Sequence, residues 1–68
     1  MDKAEAFRLY SKAADMGIKE SLFNLGTCYD MGWGVEQNRE EALKWYRKAS
    51  AQGCKLADDM IDLLTKKK

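Results

Sequence analysis

Apolar and small residues recur at three-, four- and seven-residue intervals in four successive stretches of the chain. That period places them on one face of a 3.6-residue helix. In "DKAEAFRLYSKAADMG" the stripe is Ala6, Phe7, Tyr10, Ala13 and Ala14. Asp2 precedes it as a capping residue, with Glu5 three positions on in capping-box spacing. Gly17 supplies a stop, because glycine enters the left-handed conformation without a Cβ penalty. In "KESLFNLGTCYDMG" the stripe is Leu22, Leu25, Cys28 and Tyr29, while Phe23 and Met31 lie off it. Gly26 sits mid-helix, where glycine costs about 1 kcal/mol relative to alanine. A second helix passing close is the simplest reason to place it there. Gly32 is the expected stop.

"NREEALKWYRKASAQG" repeats the logic of the first stretch. Asn38 caps, Glu41 follows, and Ala42, Leu43, Tyr46, Ala49 and Ser50 face inward with Trp45 beside them. "KLADDMIDLLTKKK" carries Leu56, Ala57, Met60, Ile61 and Leu64 at helical spacing and ends in lysines. Shifted by 36 positions, the chain falls on itself: Asp2 on Asn38, Glu5 on Glu41, Ala6 on Ala42, Phe7 on Leu43, Tyr10 on Tyr46, Ala13 on Ala49, Gly17 on Gly53, Lys19 on Lys55 and Leu25 on Ile61. A period of this size predicts stacked units sharing one core. The expected architecture is all-α, a short antiparallel helical-hairpin solenoid of about four helices. It divides into a second-type helix at 2–17, a complete hairpin at 20–53 and a terminal helix at 55–65. The alanines at 6, 13, 42 and 49 let helices approach. Tyr10, Tyr29 and Tyr46 are expected to fill the seams, their hydroxyls reaching water or a backbone group.

Composition narrows the chemistry. The 68 residues include 12 basic and 11 acidic side chains, a formal charge of +1, which does not mark a nucleic-acid or membrane surface. No apolar run approaches transmembrane length, and "MDKAEAFRLY" lacks the apolar stretch of a signal peptide. There is no histidine, so cysteine-histidine and serine-histidine nucleophile pairs are absent by composition. Cys28 and Cys54 do not have a close metal-binding spacing. Both are expected as thiols, Cys28 in the core and Cys54 at a helix start, where a thiolate is stabilised. Glu40-Glu41 and Asp58-Asp59 are neighbours in sequence that do not share a helix face. In first turns they favour the helix dipole over acid-base work. Lys66, Lys67 and Lys68 lack interleaved aromatics and read as a solvated helix end. No catalytic residue, metal or cofactor is expected.

"LFNLGTCYDMGWGVEQNREEALKWYRKASAQGCKLA" resembles a Sel-like (Sel-one) repeat, a relative of the tetratricopeptide repeat. The resemblance rests on Leu25, Gly26, Tyr29, Gly32, Gly34, Val35, Asn38, Ala42, Trp45, Tyr46, Ala49 and Gly53. Residues 21 to 57 match one complete unit, and 2 to 20 match the second helix of a preceding one. Asn38 stands where the family more often has aspartate, Ser50 replaces a common alanine, and Asp62 occupies the place of Gly26. The last departure suggests that residues 55 to 65 form a terminal cap.

The resemblance implies a non-enzymatic interaction module whose first-type helices line a concave surface. Carried onto this chain, that surface comprises Glu20, Phe23, Asn24, Thr27, Asp30 and Met31, continued by Leu56, Asp59 and Leu63. Phe23 and Leu63 are candidate apolar anchors, or pack on neighbouring helices. The carboxylates suggest a mildly acidic groove for a basic-aliphatic peptide or helix. In "GWGVEQN" the architectural reading has Gly34 turning the chain and Val35 plugging the loop into the core. Trp33 is compatible with both that role and presentation to a partner. A cytoplasmic setting is favoured. Two other functions stay open: a structural fragment that self-associates through exposed repeat ends, hiding Phe7 and Leu9, or a stoichiometric regulator of an enzyme.

Overall fold

Two kinds of helix start alternate along the chain. The computed structural model describes residues 2–66, and they form α1 (Lys3–Asp15), α2 (Lys19–Met31), α3 (Arg39–Ala51) and α4 (Lys55–Thr65). Ahead of α1 and α3 stand polar caps. Asp2 accepts the amide hydrogen of Ala4, one position before the expected Glu5, and Asn38 accepts that of Glu41 at 3.1 Å. Ile18 and Cys54 precede α2 and α4 without a side-chain cap. The ends alternate in the same way. After α1, Gly17 N–H reaches the Ala14 carbonyl and Ile18 N–H that of Ala13; after α3, Gly53 and Cys54 repeat the pattern onto Ser50 and Ala49. The 36-residue recurrence is therefore carried by backbone hydrogen bonds as well as by residue types.

Consecutive helices pack antiparallel on one another as hairpins of a short solenoid, with no strand among the described residues. Their shared core is Ala14, Leu22, Leu25, Ala42, Tyr46, Ala49 and Ala57, with Phe7, Phe23, Met60, Ile61 and Leu64 packed around it. Tyr46 and Leu25 are fully buried, each worth about 1.5–3 kcal/mol relative to exposure. The small side chains of the buried Ala42, Ala49 and Ala57 let α3 and its neighbours approach closely. Gly26 completes the fit: a Cβ there would stand 2.7 Å from the Tyr46 ring and 3.2 Å from the Ala42 carbonyl oxygen. The close approach expected from a mid-helix glycine is thus α2 lying against α3.

The loop between α2 and α3 serves α1. Asn38 N–H donates to the Tyr29 carbonyl at 2.8 Å, and the Gln37 side-chain amide to that of Asp30 at 2.7 Å. These bonds fold the loop back on α2. Gly34, at φ +74°, lies so close to the Lys3 carbonyl that a Cβ would collide with its oxygen. Lys3 Nζ sits 5.0 Å from the centroid of the Trp33 ring. Val35 does not plug the core as expected: it is half-buried beside Tyr29, outside the main cluster. The Tyr46 hydroxyl also departs from expectation, donating to a side chain instead of water or backbone.

Of the lysine run, Lys66 caps the exposed end of α4, and Lys67 and Lys68 lie outside the described residues. No helix among those residues is long and apolar enough to cross a membrane.

Candidate functional site

The 36-residue shift brings the starts of α2 and α4 side by side. Lys19, Glu20, Phe23 and Asn24 from α2 face Cys54, Lys55 and Leu56 across an open groove of about 450 Å³. Leu56 is 63% exposed on one wall, and Phe23 is half-buried on the other. The Phe23 ring leans on Tyr46, with centroids 5.5 Å apart and planes at 43°. Phe23 thus packs on a neighbouring helix and still lines the groove. Lys19 and Lys55 stand beside Glu20, so this end of the surface is charge-mixed where an acidic one was expected. Those two lysines and Cys54 were missed as groove residues. The superposition of Lys19 on Lys55 was the available signal.

A second groove, of about 310 Å³, lies between α1 and α2. Ala6 and Tyr10 line it from α1, Asn24, Thr27 and Cys28 from α2, and Trp33 from the α2–α3 loop. Asn24 belongs to both grooves. Thr27 is less free than a surface contact would be. Its hydroxyl accepts from the Tyr46 hydroxyl at 3.1 Å and donates to the Phe23 carbonyl at 3.2 Å. Asp30, Met31, Asp59 and Leu63 line neither groove; Met31 and Leu63 are 67% and 69% exposed. The expected surface therefore resolves into two grooves sharing Asn24, flanked by exposed aliphatic side chains.

The buried ionisable groups support packing. Burial pushes the Cys28 thiol above its ordinary range. It does the same to the Tyr46 hydroxyl; the hydrogen bond with Thr27 opposes the rise and the Asp30 charge adds to it. Cys28 and Cys54 are free thiols. No cluster of three or more histidine, cysteine or carboxylate side chains among the described residues is placed to hold a metal ion.

The Sel1 repeat model matches residues 2–18, which hold α1, and residues 19–54, which hold α2, the α2–α3 loop and α3. The chain belongs to the Sel1 repeat family. A crystal structure of a Sel1 repeat protein from Oxalobacter formigenes superposes with a TM-score of 0.90 at 41% identity, over 94% of this chain and 26% of that one. DAP3-binding cell death enhancer 1 of Rattus norvegicus is 38% identical over 64 residues, 94% of this chain and 13% of the relative. Chitin synthase regulator SKT5 of Saccharomyces cerevisiae is 41% identical over 56 residues, 82% of this chain and 8% of the relative. Chitin synthase regulatory factor 2 of Schizosaccharomyces pombe is 37% identical over 51 residues, 75% and 10% respectively. The chain thus spans about a tenth of the length of these curated relatives. Sel1 repeat proteins are TPR-like helical solenoids that generally act as non-enzymatic interaction or adaptor modules.

Proposed function

We propose that this Sel1 repeat chain holds a peptide or helix of another protein along the α2–α4 groove. The observation that carries the reading is the pairing of Phe23 and Leu56 across one open groove, with Glu20, Lys19 and Lys55 beside them. Apolar side chains of the partner would bury against Phe23 and Leu56, and exposed Leu63 would extend that contact. Glu20 and Asn24 fix orientation through hydrogen bonds, with Asp59 and Asp30 further along the first-type helices. Solenoids bind through such extended surfaces, and apolar anchors inside a polar rim dominate interface energetics. The working unit is the hairpin 20–53, flanked by the helix at 2–17 and the terminal helix at 55–65.

The same groove serves a second reading, stoichiometric regulation of an enzyme. Its support is that two fungal relatives are a chitin synthase regulator and a chitin synthase regulatory factor.

The test is selection followed by mapping. A displayed random-peptide library is panned on the immobilised chain, and a selected peptide is titrated into the isotope-labelled chain. Amide shifts are expected at Glu20, Asn24, Lys55 and Leu56. Leu56→Asp and Leu63→Asp should weaken binding about tenfold or more, the loss expected for a desolvated anchor, while leaving the melting temperature unchanged. Shifts elsewhere, or affinity indifferent to both substitutions, would defeat the reading.

A further inference from the structure

We infer that the α2–α4 groove selects an acidic-aliphatic segment of its partner, an inference that rests on the α2–α4 reading above. An apolar side chain of that segment seats on Phe23 and Leu56. An aspartate or glutamate, about one helical turn away along the groove, meets Lys19 and Lys55.

The charges that line the groove set the sign. They are Lys19, Glu20 and Lys55, so one carboxylate opposes two cations. Neither lysine forms an ion pair among the described residues, where the pairs are Arg8 with Glu5 and Lys44 with Glu41. The other carboxylates of the first-type helices lie elsewhere. Asp30 and Asp59 do not line the groove. Asp58, in the first turn of α4, accepts the Ser50 hydroxyl hydrogen and is tied to α3. The backbone adds to the same sign. α2 and α4 follow Ile18 and Cys54 without a side-chain cap, and each helix start carries partial positive charge. A basic-aliphatic segment would set its own cations against these. An acidic one neutralises two lysines that otherwise repel each other across the groove.

Spacing turns this charge into a pattern. Lys19 and Phe23 are four residues apart on α2, one helical turn or about 6 Å along the axis. Lys55 and Leu56 are adjacent on α4. The groove therefore has cations at the helix starts and an apolar pair beside them. The apolar contact supplies most of the affinity, and the carboxylate supplies selectivity and direction.

The test begins with displayed peptides that carry one fixed leucine and random flanks. They are panned on the immobilised chain at low ionic strength under reduction. Enriched sequences are expected to hold aspartate or glutamate near the leucine and to be poor in lysine and arginine. One enriched peptide with blocked ends is then titrated beside its amide version, in which glutamine or asparagine replaces the acid. The amide version should bind the parent chain about threefold or more weakly, and added salt should narrow the gap. Against Lys19→Gln/Lys55→Gln the two peptides should bind alike. Both substitutions remove a cation from a helix start, where it opposes the dipole, so the fold should persist. The single variants Lys19→Gln and Lys55→Gln, each narrowing the gap in part, carry the test if the double variant unfolds. Enrichment of basic residues, or an acid-to-amide gap that the lysine variants leave unchanged, overturns the inference. In that case the α2–α4 reading still stands if Leu56→Gln, which alters no charge, weakens binding. No enriched peptide, or binding indifferent to Leu56→Gln, overturns both.

Discussion

The hydrogen on the Gly26 Cα is the widest group that fits between α2 and the Tyr46 ring: a Cβ in its place would lie 2.7 Å from that ring and 3.2 Å from the Ala42 carbonyl. Two effects oppose each other at this position. Alanine would raise helix propensity by about 1 kcal/mol. It would also push a fully buried ring, whose relief is limited by packing on every side, at a cost of about 1–3 kcal/mol. Sterics should win. Gly26→Ala is expected to lower stability by up to about 2 kcal/mol net, read as a fall in melting temperature of up to roughly 16 °C for a domain of this size. A more stable variant would mean that the ring moves aside freely.

Gly34 and Gly53 both have positive φ, at +74° and +94°, but only Gly34 has a neighbour. Its Cβ would collide with the Lys3 carbonyl, and nothing lies within 4 Å of the position at Gly53. Gly53→Ala should therefore cost only the left-handed backbone strain, about 1–2 kcal/mol. Gly34→Ala should cost more and should release α1, seen as faster amide exchange from Ala6 to Ala13. Equal losses in the two variants would show that the loop does not brace α1.

These relationships differ in how far the sequence discloses them. Gly26 announces a close contact because a helix interior offers no local reason for glycine. The ends of α1 and α3 announce themselves through residue types that recur in phase. Thr27 carries no such mark. Its role depends on Tyr46, which is distant in the chain, so a surface position and a hydrogen-bond relay look alike in sequence. The Trp33–Lys3 contact is hidden for the same reason. The groove walls were only half visible, since a stripe of apolar residues locates a buried face and says little about which charged neighbours meet across two helices. Met31, Leu56 and Leu63 were proposed as surface residues, and each is more than 60% exposed, at 67%, 63% and 69%.

The relay from Tyr46 to Thr27 to the Phe23 carbonyl ties α3 to α2 at their closest point. A net contribution of about 0.5–1.5 kcal/mol is typical of such a hydrogen bond. Tyr46→Phe should lose about that amount, because it deletes the donor without opening a cavity. Thr27→Val should lose a similar amount, since it leaves the Tyr46 hydroxyl without its acceptor. In a double-mutant cycle by urea denaturation the losses should be less than additive, with a coupling of at least about 0.5 kcal/mol. Strict additivity would show that the hydroxyls contribute independently.

Alkaline pH should unlock the same region. Cys28 and Tyr46 are acids whose neutral forms the fold prefers, because burial raises both from ordinary values of 9.0 and 10.0. The unfolded chain therefore releases these protons first. Their contribution is fully present below pH 9.0 for the thiol and below pH 10.0 for the phenol. It declines above those values and is lost as pH passes the raised values of the folded state. Urea midpoints measured across that range should fall as pH rises past 9.0 and more steeply past 10.0. Cys28→Ala should flatten the first part of the fall and Tyr46→Phe the second, each relative to its own stability near neutral pH. A parent chain whose midpoint stays level through both steps would show that neither group keeps its proton more tightly in the folded state.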